Sequence, residues 1–266
     1  ITLNGKSGCK IQGLQIDGNK AKYYNYGIYL YSSNDNTVTG NTCNNNYYGI
    51  YLSSSNNNTI TGNTYNNNTY GIRFDSSSNN TITGNTCNNS SWDGIHLSSS
   101  SDNTITGNTC NNNGFSGIYL SASSNNNTIT GNTCNNNTQI GICLNSSSNN
   151  NTVTGNTCNN NRNSYGIYLN SSSNNTVTGN TCNNNYRGIY LYSSSSNNTI
   201  TGNTCIRGTG TPENYTTDQH TILLSGANNN YNLISSNNCM GKAVVIEGGT
   251  GNSAWGNKFD NTDDLP

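Results

Sequence analysis

Residues 103–120 read Asn-Thr-Ile-Thr-Gly-Asn-Thr-Cys-Asn-Asn-Asn-Gly-Phe-Ser-Gly-Ile-Tyr-Leu, and variants of this stretch fill most of the chain. Its turn glycine recurs at Gly40, Gly62, Gly84, Gly107, Gly131, Gly155, Gly179 and Gly202, at spacings of 22, 22, 23, 24, 24, 24 and 23 residues. The closing phrase, Gly-Ile-Tyr-Leu, interleaves at Gly27, Gly49, Gly71, Gly94, Gly117, Gly141, Gly166 and Gly188. A fixed period of this length marks a repeat architecture in which each unit packs only on its neighbours. Each period holds two short β-rich phrases bounded by Ser, Asn and Gly, and no window has apolar residues at helical spacing. An all-β fold follows: a right-handed parallel β-helix of about eleven coils of 22–25 residues.

Composition fits a solenoid. Charged residues make up 8% of the chain and the net charge is −1, so no electrostatic footprint for nucleic acid is present. Hydrophobic residues make up only 29%, a supply that elsewhere reads as disorder. Stacked coils need few apolar residues each, because neighbours complete the core. No run reaches the roughly 18 apolar residues of a membrane span, so no membrane insertion is expected. The chain opens on Ile1 inside a strand-like phrase, which reads as a mature or excised segment.

Strand alternation sorts the slots into inner and outer. One inward column is Val38, Ile60, Ile82, Ile105, Ile129, Val153, Val177 and Ile200; two more begin at Ile28 and Leu30. Weaker versions of the unit extend the rod at both ends, giving one elongated domain over 1–266, roughly 50 Å of stacked strands. Regular coils run over about 11–205, an insertion occupies 206–220, and degenerate coils follow over 221–260.

Two further columns carry polar or reactive groups. Asn41, Asn63, Asn85, Asn108, Asn132, Asn156, Asn180 and Asn203 share the slot after the turn glycine, where stacked amides form a ladder that satisfies a bend. Cys43, Cys87, Cys110, Cys134, Cys158, Cys182, Cys205 and Cys239 share another slot, which Ile16, Tyr65 and Phe259 also occupy. That slot is apolar and interior, so a buried thiol stack is expected; vertical disulfides are the alternative. Neither a metal nor a cofactor is expected, since no Cys-x-x-Cys pair is present. Cys143 replaces an outward tyrosine and is expected to be an exposed thiol; Cys9 falls in an Asn slot.

The repeated Asn-Asn-Thr-Ile-Thr-Gly-Asn-Thr-Cys-Asn-Asn-Asn with its Gly-Ile-Tyr-Leu partner resembles the right-handed parallel β-helix repeats of NosD-like and related carbohydrate-binding and sugar-hydrolase proteins. The resemblance covers residues 11–205 strongly and the rest weakly. It implies an extracellular or periplasmic setting, as for archaeal and bacterial cell-surface proteins. It does not choose among lyases, hydrolases, epimerases, adhesins and structural proteins, all of which use this scaffold.

Outward residues are where function would lie. Tyr29, Tyr51, Arg73, His96, Tyr119, Cys143, Tyr168 and Tyr190 form one column, with Tyr26, Tyr48, Tyr70 and Tyr165 beside it. Tyr29, Tyr51, Tyr119, Tyr168 and Tyr190 are the candidate glycan-binding residues, as aromatic faces with a wet edge. Arg73 and His96 interrupt that column, with Asp75 and Asp93 close by, so acid, base and cation are expected to converge on one outward face. Were the protein an enzyme, Arg73, Asp75, Asp93 and His96 would be its catalytic set, supplying a base and a cation opposite a uronate. The insertion Ile206–His220 adds Arg207, Glu213, Asp218 and His220. Paired threonines such as Thr104 and Thr106 form a regular Thr-x-Thr array like that of some ice-binding solenoids.

The leading expectation is an extracellular, non-catalytic β-helix with a structural or adhesive role, contacting polysaccharide through its tyrosine face and forming homo-polymers through the rod ends. A polysaccharide-active lyase, hydrolase or epimerase is the alternative, and an ice-binding protein a minor one.

Overall fold

The computed structural model describes residues 1–20, 24–161, 164–206, 220–240 and 244–258. Most of the insertion, with Arg207, Glu213 and Asp218, lies outside the described residues, as do Phe259 and residues 260–266. Two parallel sheets of eleven strands run the length of the rod, and each strand pairs with its counterpart one coil away. The fold is the expected right-handed parallel β-helix, the hand that parallel crossovers adopt.

The first sheet is built from Gly-Ile-Tyr-Leu phrases such as Ser116–Ser121, and the second from Thr-Ile-Thr phrases such as Thr128–Thr130. A third side is little more than single bridges between the threonines that precede the cysteine slot, from Thr42 to Thr204. The register stacks like on like: Ile105 pairs with Ile82 and Ile129, and Leu120 with Leu97 and Leu144. Ile, Leu, Val and Cys columns fill one continuous buried core. A one-residue slip in any strand would turn those columns outward, so the pattern fixes the register.

Two kinds of glycine separate here. The turn glycines, Gly107 among them, sit at φ near 61° with open space where a side chain would go; they are needed for conformation. Gly117 has ordinary backbone, but a Cβ there would lie 2.7 Å from the Gly141 carbonyl oxygen and 2.8 Å from the Cys134 Cβ. That slot is glycine because the cysteine column packs hard against the edge of the first sheet.

The corners are polar and buried, and they are satisfied by ladders. Asn108 donates from its backbone N–H (2.9 Å) and its Nδ2 (3.0 Å) to Asn132 Oδ1, and its Nδ2 also reaches the Ile82 carbonyl at 2.9 Å. Asn132 repeats the pattern onto Asn156 and the Ile105 carbonyl. The same arrangement recurs at two other corners, through Asn103 and Asn127 and through Asn113 and Asn137. Serine hydroxyls form a further column, Ser55 to Ser77 to Ser100. Cys9 occupies the first rung of one ladder, its N–H donating to Asn36 Oδ1 at 2.9 Å.

The cysteine column from Cys43 to Cys239 is buried and free of disulfides. At the two ends of the column burial pushes the thiol up, Cys43 to about 12 and Cys239 to about 11. Cys143 departs from expectation. It points outward but is only 1% exposed, because Tyr119 and Tyr168, its neighbours in register, roof over the smaller side chain. Burial raises its pKa well above the ordinary thiol value. Cys9, half-buried at the first coil, is therefore expected to react first with a bulky maleimide, and Cys143 only on denaturation. Mass spectrometry of partially labelled native protein checks this; early modification of Cys143 would contradict it.

Candidate functional site

The outward column of the first sheet is in register from Tyr29 to Tyr190, with Arg73 paired to Tyr51 and His96, and His96 to Tyr119. The four charged candidates are gathered in adjacent coils, but as two separate pairs. Arg73 Nη2 lies 2.7 Å from Asp75 Oδ1, and its Nε donates to the same oxygen at 2.9 Å. Asp75 Oδ2 accepts a hydrogen bond from the Tyr51 hydroxyl at 2.7 Å. In the next coil, His96 Nδ1 lies 2.9 Å from Asp93 Oδ2.

Asp93 is not on the outward face. It is 1% exposed, tucked under the imidazole, with Oδ1 accepting the Ser116 backbone N–H at 3.0 Å. Its slot, just before the glycine, is filled by tyrosine in four other coils; the shorter carboxylate side chain turns beneath His96 instead. A buried carboxylate on Nδ1 selects the tautomer with its proton on Nδ1 and leaves Nε2 with a free lone pair. Nε2 is 3.3 Å from the Ser121 hydroxyl, whose rotating hydrogen can occupy that lone pair or leave it. Asp93 is thus a positioning residue, and His96 the group able to take a proton.

Tyr70 is the hub of the cluster. Its ring meets His96 edge-on with centroids 5.7 Å apart, lies 5.6 Å from the Arg73 guanidinium carbon, and sits 6.1 Å from the Trp92 ring. His96 also lies 4.8 Å from the Tyr119 ring. The Tyr119 oxygen accepts a hydrogen bond from Asn145 Nδ2 at 2.6 Å, which leaves the phenolic hydrogen available to another acceptor. Burial raises the phenol pKa of Tyr48 and Tyr70 to about 12, and that of Tyr51 further with Asp75 beside it. These tyrosines are neutral donors near neutral pH, which leaves the base role to His96.

The candidate glycan-binding tyrosines offer a different surface from the one expected. Tyr29 and Tyr51 stack at 5.1 Å with planes 5° apart, and Tyr168 and Tyr190 at 5.3 Å and 19°. Their faces are largely taken up by one another, so solvent meets ring edges and hydroxyls. Tyr190 is buried, its hydroxyl 3.0 Å from Ser225 Oγ, and Arg187 lies 4.3 Å above its ring. Trp92, 51% exposed and 5.8 Å from Phe115, escaped the sequence reading. A signal was there: Trp92 and Phe115 share the slot of Tyr47, one position further from the glycine than the aligned tyrosines.

The class defined by this fold and site is a parallel β-helix with an Asp–His pair, an arginine and a tyrosine on one sheet face. The sequence matches the model of the family described as periplasmic copper-binding protein (NosD) over residues 1–165 and 148–265. The chain belongs to that family. No curated protein matches it. Among solved structures it is similar to the A-module of the Azotobacter vinelandii mannuronan C-5 epimerase AlgE6, with a TM-score of 0.81 and 16% identity over 95% of this chain and 74% of that one. It is also similar to the periplasmic alginate epimerase AlgG (0.56, 19%, 92% and 69%) and to the Dettilon tailspike protein (0.67, 22%, 77% and 48%). It spans about half the length of that tailspike. At these identities the likeness is one of fold.

The copper in the family's description does not fit the residues present. Among the described residues, no three His, Cys, Asp or Glu side chains are grouped to hold a metal ion. Eight of the cysteines lie in one sealed interior column, and the Nδ1 of His96 is committed to Asp93.

Proposed function

We propose that this protein binds an acidic polysaccharide along the outer face of its first sheet and moves a proton on a uronate unit at His96. The observation that carries the reading is the buried Asp93 carboxylate on His96 Nδ1, with Arg73 and Tyr119 in register on either side. In this reading His96 Nε2 removes the proton next to the uronate carboxylate, and Asp93 stabilises the resulting imidazolium. Arg73 faces the carboxylate, on which negative charge develops as the C–H bond breaks. Its Nε and Nη2 are engaged with Asp75, and among the described residues the remaining guanidinium N–H groups have no hydrogen-bond partner and could point at substrate. Tyr119, a protonated phenol, stands ready as the acid. Protonating the departing glycosidic oxygen gives elimination; because Tyr119 stands beside His96 on one sheet face, epimerisation would take its proton from solvent on the opposite face of the sugar.

The similarity to alginate epimerases and a tailspike supports this polysaccharide-directed reading over a purely structural rod. An extracellular or periplasmic location goes with it. Incubation with polymannuronate, polyguluronate and polygalacturonate tests the proposal, reading unsaturated chain ends by absorbance and epimer ratio by NMR. Turnover of at least one polymer is expected, falling by roughly 10²–10⁴ in His96→Ala. Equal turnover by the variant would overturn the assignment of the base.

A further inference from the structure

Lys20 reaches this site from outside the repeat. The chain leaves the first coil at Gly18, where a side chain would collide with Asn46 Oδ1 and Asn25 Nδ2, so glycine permits the close approach. The Gly18 and Lys20 N–H groups are then pinned on the Asn44 carbonyl at 2.9 Å and the Asn45 carbonyl at 2.8 Å. From that anchor the Lys20 side chain runs along the rod axis. Its Nζ contacts the Asn68 carbonyl at 3.4 Å and Ser91 Oγ at 3.2 Å, in the following two coils.

These contacts place an ammonium on the residue that precedes an exposed aromatic. Ser91 precedes Trp92, whose ring is half exposed and leans on Tyr70, the ring that also touches His96 and Arg73. Ser91 and His96 are five residues apart, so their Cα atoms are at most about 17 Å from each other, the reach of a short run of sugar rings. Among the described residues the ion pairs are Arg73–Asp75 and Asp93–His96, so Lys20 is held by neutral oxygens alone. Burial lowers its pKa, as expected of an ammonium partly withdrawn from water without a counter-charge. An anionic group arriving there would supply that charge.

We infer that Lys20, Ser91 and Trp92 form a subsite for the carboxylate and ring of a second acidic sugar, next to the unit held at His96. The inference rests on the polyuronate reading above and adds what that reading lacks, a determinant of charge preference away from the reacting centre. Lys20 supplies the counter-charge, the Ser91 hydroxyl a hydrogen bond, and Trp92 an apolar surface for the sugar ring.

Affinity electrophoresis or calorimetry of the full chain with polymannuronate and with its carboxyl-reduced, neutral counterpart tests this. The unaltered chain should prefer the acidic polymer. Lys20→Gln should raise Kd for it by about tenfold and leave Kd for the neutral polymer in place, while Lys20→Arg restores the preference. Trp92→Ala should weaken both polymers alike. A purely structural tether would weaken both polymers together in Lys20→Gln and lower its unfolding midpoint, which would overturn the inference. Unchanged acidic binding in Lys20→Gln, with the unaltered chain still turning over polyuronate, would overturn it too. Absence of both binding and turnover in the unaltered chain would instead bring down the underlying polyuronate reading.

Discussion

Replacing Asn132 by leucine is expected to destabilise the rod by about 3–6 kcal/mol, although leucine is close in size and the site is fully buried. Asn132 Oδ1 is the acceptor for both the backbone N–H and the Nδ2 of Asn108, so two buried donors lose their partner at once. Its own Nδ2 donates to the Ile105 and Thr130 carbonyls and to Asn156 Oδ1, and those acceptors are deprived as well. Each orphaned buried group costs about 1–3 kcal/mol, and the apolar surface gained offsets part of the sum. Thr138→Leu, in the same coil but exposed, should change stability by less than about 0.5 kcal/mol. Urea unfolding midpoints of the two variants make the comparison. Equal midpoints would mean that apolar stacking alone holds the corners.

Asp93→Asn is expected to keep the fold and to lose turnover of polyuronate by about 10³-fold or more. The amide is isosteric with the carboxylate, so its oxygen can still accept the Ser116 N–H. Its NH2 group then faces His96 Nδ1 and must donate. That forces the imidazole proton onto Nε2, where a base needs a lone pair. The negative charge that would stabilise an imidazolium is lost as well. Polymer binding should persist, because Asp93 lies beneath His96 and does not reach the surface. Steady-state turnover beside an unchanged polymer Kd checks this. Turnover near the unaltered rate would show that the pairing with His96 has no part in the chemistry.

Much of the molecule can be read directly from the repeat. The inward Ile, Leu and Cys columns and the Asn41–Asn203 ladder were legible because each slot recurs about eight times under one physical demand. What was not legible depends on neighbours rather than on slots. Cys143 occupies an outward position, yet it is sealed because Tyr119 and Tyr168 are larger than it is. Asp93 shares its slot with half-exposed tyrosines, and only its short side chain lets it fold under His96. The tyrosine stripe was legible as a stripe, but ring planes are set by stacking from coil to coil, which a sequence does not display. Lys20 was invisible because it arrives by a non-repeating excursion and touches residues 48 and 71 positions away.

The central step is the transfer of a proton from a uronate carbon to His96. Polyuronate incubated with the native chain in heavy water and followed by NMR measures that step without assuming how the reaction ends. Deuterium should enter the polymer at the carbon bearing the carboxylate, or unsaturated ends should accumulate, with the unaltered chain and not with His96→Ala. Binding of the polymer without solvent exchange or unsaturation, across all three polyuronates, would contradict the account and leave a carbohydrate-binding rod.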